Sequence, residues 1–181
     1  MPGIVPDEGS KGAKLVLIGE APGEWEDRYC RPFVGPSGQR WESWLGRFGL
    51  ARSDFYIANV WQQRPHLNRI ETVNREALLE AVDDLHERLA ALTDPWLIVP
   101  TGNTALRALM GRALWGKDSP KITDWRGSIL GYEDRKGRVV KVIPTLHPAF
   151  TLREPGAERA CLHDWKRVAK DSRFRELRLP H

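Results

Sequence analysis

The amino-acid sequence predicts an α/β fold, a three-layer α/β/α sandwich with a central four-stranded parallel sheet. Two patterns carry this expectation. Four short apolar runs rich in β-branched residues, at 14–19 (KLVLIG), 54–60 (DFYIANV), 96–100 (WLIVP) and 138–144 (RVVKVIP), read as strands buried on both faces. Helical patterns lie between them, and strands alternating with helices argue for crossovers that cover both sides of a parallel sheet.

The helices follow in order. Residues 37–49 place Trp41, Trp44, Leu45 and Phe48 on one face, with Ser37 as the capping residue. Residues 73–92 repeat apolar positions at Leu78, Leu79, Val82, Leu85 and Leu89, with Asn74 as cap. A third helix, 102–110, follows the third strand, and a fourth, 155–171, turns Leu162, Trp165 and Val168 inward. The segment 112–137, punctuated by Gly116, Pro120, Gly127, Gly131 and Gly137, reads as loops with room for an edge hairpin. With no repeat, low-complexity tract or linker, residues 1–181 are expected to form one domain.

Composition narrows the classes. Hydrophobic content of 41% and charged content of 29% are ordinary for a soluble domain. No apolar run approaches the roughly 18 residues that a membrane span needs, so no membrane partner is expected. The N-terminus, MPGIVPDEGSKGAK, has no apolar signal core, which argues against export. Cys30 and Cys161 make neither a disulfide framework nor a zinc set, and the expected compartment is a reducing cytoplasm. A formal charge of +4 fits a polyanionic partner. Arginines crowd around Arg64, Arg69, Arg126, Arg153 and Arg159 and in the tail KRVAKDSRFRELRLP, while acids gather at Glu20 to Asp27 and in the helix from Glu76 to Glu87.

The strand ends are where a ligand belongs, because open α/β sheets bind at the carboxyl ends of their strands. The first strand ends in GEAPGEWED, the second in Asn59 and VWQQRPHLNR, the third in PTGN and the fourth in TLHPAFTLR. Parallel strands would bring Glu20, Glu26, Phe33, Asn59, Asn68, Thr101, Asn103 and His147 to one rim, ringed by Arg64, Arg69, Arg126 and Arg153. Such a rim suits a base flipped out of DNA, which must be stacked on an aromatic face and read at its pairing edge. Phe33 can supply the ring, and the Asn59 amide can donate and accept side by side, matching O4 and N3–H of uracil. His147 can hydrogen-bond the departing base while Glu20 or Glu26 stabilises the cationic sugar and orients water. No phosphate-loop or dinucleotide-binding fingerprint is present to support a nucleotide-binding reading.

GEAPGEWEDRYCRPFVGPSGQ resembles the first motif of the uracil-DNA glycosylase superfamily, and most of all its family 4, which carries a GE-x-PG-x-x-ED stretch, RPFVG and a small-residue helix start. NVWQQRPHLNR is similar to that family's Asn-bearing strand end and RPPxNR loop, and TLHPAFTLR to its His-Pro-Ala motif; the resemblance runs from about residue 4 to about 170. It implies a monofunctional DNA glycosylase that hydrolyses the N-glycosidic bond of uracil in base excision repair, with DNA as partner and the protein a monomer. By that match Glu20 and Glu26 are the acidic pocket residues, Phe33 the stacking ring, Asn59 and Asn68 the pocket amides and His147 the histidine at O2. Ala21 stands where family 1 enzymes carry a water-activating aspartate, so that task falls to Glu20 or Glu26.

The departures shape the remaining expectations. Family 4 enzymes hold a four-iron, four-sulfur cluster on four cysteines, including a CxxC ahead of the first strand. The sequence starts too late for that CxxC, Gln63 stands at the loop cysteine's place, and two scattered thiols cannot supply four ligands, so no cofactor and no metal are expected. Cys30 occupies a place where a small residue is usual, and the doubled proline has become Pro65-His66, which puts Trp61, Gln62 and His66 at or behind the pocket. These changes leave room for a relative retargeted to a modified pyrimidine, or for a uracil-DNA-binding protein with little turnover.

Overall fold

The protein is described by a computed structural model that covers residues 3–111 and 118–175. At its centre lie β1 (Leu15–Gly19), β2 (Phe55–Asn59), β3 (Leu97–Pro100), β4 (Leu130–Glu133) and β5 (Val139–Val142), in the order β2-β1-β3-β5-β4. Around them pack α1 (Glu24–Tyr29), α2 (Pro36–Arg47), α3 (Arg75–Ala90), α4 (Gly102–Leu109), α5 (Ile122–Trp125), α6 (Pro148–Arg153) and α7 (Glu158–Asp171). No described helix is long and apolar enough to cross a membrane. Gly116 and the tail beyond Arg175 lie outside the described residues.

The four expected strands pair in parallel, but the sheet has a fifth. β4 runs antiparallel to β5, from Leu130 opposite Val142 to Glu133 opposite Val139. A short hairpin dictates that direction, since a parallel neighbour would need a long crossover. Asp134 shapes the turn by accepting hydrogen bonds from the backbone of Lys136 (2.9 Å) and Arg138 (3.0 Å). β4 escapes a search for apolar runs because only Tyr132 of its four residues is buried.

Period-two alternation sorts the sheet residues onto two faces. Val16, Ile18, Tyr56, Ala58 and Ile98 share one cluster with Leu78, Leu85 and Leu89 of α3. Leu15, Leu17, Phe55, Ile57 and Val99 share the other with Trp41 and Trp44 of α2 and Trp165 of α7. There Trp41, Phe55 and Trp165 meet with centroids 5.3–6.1 Å apart, two of the three pairs edge to face. Truncating any one of these rings removes about 3–5 kcal/mol of packing.

Several boundaries differ from the sequence expectation for local reasons. Asn74 caps α3 as expected, accepting from Glu76 N at 2.8 Å and Ala77 N at 3.2 Å. α2 instead begins with Gly35 as cap and Pro36 in its first turn, where a missing N–H costs nothing, so Ser37 is helical. Leu79 is exposed, because it lies a hundred degrees or so around the helix from Leu78. The acidic segment after β1 forms α1, whose Glu24, Glu26 and Asp27 occupy the first turn and complement the helix dipole.

The N-terminal segment pairs with the outer edge of β2 and the loop after it, through bridges from Glu8 to Ile57 and from Ile4 to Gln63. Glu8 also anchors two arginines. Arg52 binds its carboxylate at 2.8 and 2.9 Å and Arg31 at 2.7 and 2.9 Å. The Arg52 hydrogen bonds, opposed by partial burial and aided by Arg31, hold the Glu8 carboxyl down at about 2. A carboxylate depressed in this way stabilises the fold above its ordinary value of 4.5, and the contribution is lost as pH falls toward about 2. Glu8→Gln should therefore lower Tm at pH 7 by about 2–4 °C, corresponding to about 1 kcal/mol in a chain of this size. The gap from wild type should close between pH 4.5 and about 2, as followed by circular dichroism melts.

Candidate active site at the strand ends

A cavity of about 520 Å³ opens where β1, β2 and β3 end and where the chain leaves β5. Its lining includes Glu20 and Glu26 after β1, Phe33 before α2, Asn59 at the end of β2, and Asn68 beyond it. Thr101 and Asn103 from the start of α4, and His147 and Arg153 at the two ends of α6, complete the ring. The Thr101 hydroxyl donates to Ile18 O at 3.0 Å, and Thr101 bridges to Thr145. The segment that presents His147 is thereby joined to the ends of β1 and β3.

The floor is set by a close approach. A Cβ on Gly19 would stand 2.4 Å from Asn59 Oδ1 and 2.7 Å from two carbons of the Phe33 ring, so only a residue without a side chain lets these two groups meet there. Phe33 sits at φ +52°, a conformation that strains a bulky residue by about 1–3 kcal/mol. Arg52 holds it, donating to the carbonyl oxygens of Pro32 and Phe33, and pairs with Glu42 at 2.9 Å. Its guanidinium lies 5.9 Å from the Trp41 ring centre. Gly38 lets the loop rest on α2, since a Cβ there would lie 1.9 Å from Phe33 O.

The two carboxylates have different surroundings. Glu26 is buried and accepts hydrogen bonds from the backbone N–H groups of Gly35 (2.7 Å), Val34 (2.9 Å) and Gly23 (3.1 Å). Glu20 takes a hydrogen bond from the Thr104 hydroxyl, and burial pushes its carboxyl above the ordinary range, against the Thr104 bond and with help from Glu71.

His147 caps α6, its Nδ1 accepting from Ala149 N at 3.1 Å. That bond puts the remaining proton on Nε2. Burial, with Arg153 nearby and Glu26 opposing, pulls the imidazole down to about 4, so the ring is neutral at physiological pH. It stacks on Phe33 with centroids 5.7 Å apart.

The expected arginine ring divides. Arg153 lines the cavity and is exposed. Arg64 braces the next loop instead, its Nε 2.8 Å from Asn68 Oδ1 and its guanidinium 3.8 Å from Glu24. Arg69 is exposed on the same loop, outside the cavity lining. Arg126 departs from the expectation: its guanidinium bonds Asp164 at 2.9 Å through two nitrogens and donates to Ala160 O at 2.6 Å, which ties α5 to α7. Trp61, Gln62 and His66 are also absent from the lining; Trp61 packs on the core and Gln62 bonds Asp7. Gly19, Arg52 and Thr104 went unnoticed in the sequence. Gly19 carried a signal, as a glycine at a strand end that marks close approach, whereas Arg52 and Thr104 act through contacts distant in the chain.

A cavity at the carboxyl ends of a mostly parallel sheet, with an amide and an aromatic ring converging at the end of β1, defines an α/β protein whose candidate site lies at its strand ends. The profile of the Uracil DNA glycosylase superfamily matches residues 6–169, and the chain belongs to this superfamily. It is similar to the type-4 uracil-DNA glycosylase of Pyrobaculum aerophilum, 38% identical over 152 residues that cover 83% of this chain and 74% of that protein. The same name belongs to a relative from Archaeoglobus fulgidus, 35% identical over 166 residues covering 92% and 80%, and to one from Thermotoga maritima, 37% identical over 157 residues covering 86% and 74%.

The residues present do not fit the cluster that the family resemblance implies. Gln63 pairs with Ile4, Cys30 is exposed at the end of α1, and Cys161 is buried in α7. Among the described residues no group of three or more His, Cys, Asp or Glu is arranged to hold a metal ion.

The convergence on Gly19 can be tested directly. Gly19→Ala should destabilise the protein by about 1–3 kcal/mol through overpacking, read as a lower denaturant midpoint, and a crystal structure should show Phe33 or Asn59 displaced. Gly46→Ala, where a Cβ meets nothing within 4 Å, should be neutral or stabilising.

Proposed function

We propose that the protein is a monofunctional DNA glycosylase that removes uracil from DNA by hydrolysing its N-glycosidic bond after the base flips into the cavity. The observation that carries this reading is the meeting of the Asn59 amide and the Phe33 ring over Gly19. Uracil stacks on Phe33 while Asn59 donates to O4 and accepts from N3–H; cytosine would set a donor against a donor, leaving buried polar groups unmatched at about 1–3 kcal/mol each. His147 donates Nε2–H to O2 as the C1′–N1 bond breaks and its electron pair passes to the base. A neutral imidazole suits this task, because it stabilises the uracil anion without needing to be charged beforehand.

Glu20 is the carboxylate assigned to the water. Glu26 directs its oxygens at three backbone N–H groups, whereas the Glu20 carboxylate takes a hydrogen bond from the Thr104 hydroxyl. Glu20 faces the cationic sugar, orients the attacking water and accepts its proton. Arg153 and the exposed Arg69 supply cations for the phosphates on either side of the flipped nucleotide, and Asn68, braced by Arg64, borders the base. The protein acts as a monomer on DNA in the cytoplasm, in keeping with its free thiols.

Incubation with uracil-containing duplex and single-stranded oligonucleotides, followed by alkali to cleave abasic sites, tests the activity. Asn59→Asp should lose uracil excision by at least about 10²-fold and gain weak activity on cytosine; wild-type uracil excision by this variant would remove Asn59 from the site. His147→Ala should slow the single-turnover step by about 10²–10⁴-fold. The pH profile separates the two catalytic groups. Glu20 works deprotonated, so the rate should fall with decreasing pH through a midpoint above 4.5, on account of its burial. His147, neutral down to about 4, should add no limb between pH 5 and 8, and its replacement should leave the Glu20 midpoint in place.

A further inference from the structure

Behind the base-reading strand lies a polar cluster that the proposed chemistry does not use. The Asp7 carboxylate accepts from Arg88 Nη1 at 2.7 and 2.8 Å, from the Tyr56 hydroxyl at 2.8 Å and from Gln62 Nε2 at 3.1 Å. Arg88 also binds Asp84 through Nε at 2.7 Å, and its Nη2 donates to the backbone carbonyl of Asn59 at 3.0 Å. The Asp7 and Arg88 side chains are 8% and 17% exposed, so this pair is largely withdrawn from water.

The geometry encloses Asn59. Tyr56 lies three residues before it on β2 and Gln62 three residues after, and both are tied to one carboxylate. The backbone adds a further tie, from Val5 N to Gln62 O at 2.8 Å. Asn59 closes an edge strand, where Val60 N and Trp61 N turn back to Gly19 O and Glu20 O at 3.0 Å each. The Asn59 carbonyl points out of that ladder, and Arg88 is its partner. One planar guanidinium therefore serves the carboxylate that gathers the strand's flanks and the carbonyl of the reading residue itself, a geometry that lysine cannot copy.

We propose that Arg88, oriented by Asp7, is a positioning residue for Asn59: it fixes the strand end from which the amide projects, so that donor and acceptor arrive in register with the pyrimidine edge. In a chain whose residues do not fit a cluster, this ion pair ties the N-terminal segment to the loop after Asn59. The proposal rests on the assignment of Asn59 as the base-reading residue.

The test is single-turnover excision from uracil-containing duplex DNA by Asp7→Asn, Arg88→Lys, Arg88→Met and Asn59→Ala, below the melting point of each variant. Arg138→Met, which breaks a different ion pair with Asp134, is the stability control. Arg88→Met and Asp7→Asn should lower the rate at saturating enzyme by about 10- to 100-fold while the enzyme concentration for half-saturation stays unchanged. Product inhibition by free uracil should weaken in both and stay as in wild type in Arg138→Met. Arg88→Lys should not restore the rate. In the Asn59→Ala background, Arg88→Met should cause no further loss, because it acts through the missing amide. If Arg88→Met does not fold, the isosteric Asp7→Asn carries the same comparison. An Asn59→Ala protein with the wild-type rate would overturn the assignment of Asn59. A slow Asn59→Ala protein together with wild-type rates in Asp7→Asn and Arg88→Met, or with losses that multiply, would overturn the positioning proposal alone.

Discussion

Gly19 is the point on which the site depends. At the end of a buried strand the chain must choose between a side chain and open backbone, and here the open backbone admits an amide from β2 and a ring from the loop before α2 to the same spot. Neither group would come there unaided. Asn59 is delivered by its register opposite Gly19 in the β1–β2 ladder. Phe33 is delivered against its own backbone preference, at positive φ, by the Arg52 guanidinium on two successive carbonyls. The aromatic cluster behind it continues the same support: Phe33 packs on Trp41 with centroids 5.8 Å apart, and Trp41 on Phe55 and Trp165.

Electrostatics divides the roles among side chains that look alike in sequence. Glu20 and Glu26 stand six positions apart in one motif and both line the cavity, yet one is satisfied by backbone N–H groups and the other has its carboxyl raised by burial. A carboxylate bound by three N–H groups is held in place, which suits it to shape a loop. A carboxylate partly stripped of water and bonded by one hydroxyl is better able to bind a proton. The same logic keeps His147 neutral: a backbone N–H takes one ring nitrogen, and burial opposes the second proton.

The sheet and the rim were legible in the sequence because both follow from short-range pattern. Apolar runs gave four of the five strands to within a residue or two, and the rule that ligands sit at strand ends brought eight residues to one cavity. β4 was legible only as room for an edge hairpin in 112–137, without bounds, since a half-exposed strand has no apolar run to show. α1 is hard to read from sequence because Pro22, Gly23 and a string of acids suggest a turn, although acids in a first turn also suit a helix. Arg126 misled for a different reason. A cation's position in the chain says nothing of its partner, and Asp164, 38 residues away, claims it.

The long-range contacts invisible to pattern share an origin. Asp7 and Glu8 are neighbours on the N-terminal segment that runs along β2, and successive residues of an extended chain point to opposite sides. Glu8 reaches Arg52, and through it the carbonyls that hold Phe33; Asp7 reaches Arg88, and through it the carbonyl of Asn59. Two adjacent acids thus brace the two groups that converge on Gly19, each through an arginine whose fork binds a carboxylate and a carbonyl together. Removing either acid would leave its arginine with one carboxylate fewer, Glu42 still pairing with Arg52 and Asp84 with Arg88. The segment ahead of the first strand is thereby tied to both groups that meet at Gly19, through Glu8 and Arg52 on one side and Asp7 and Arg88 on the other.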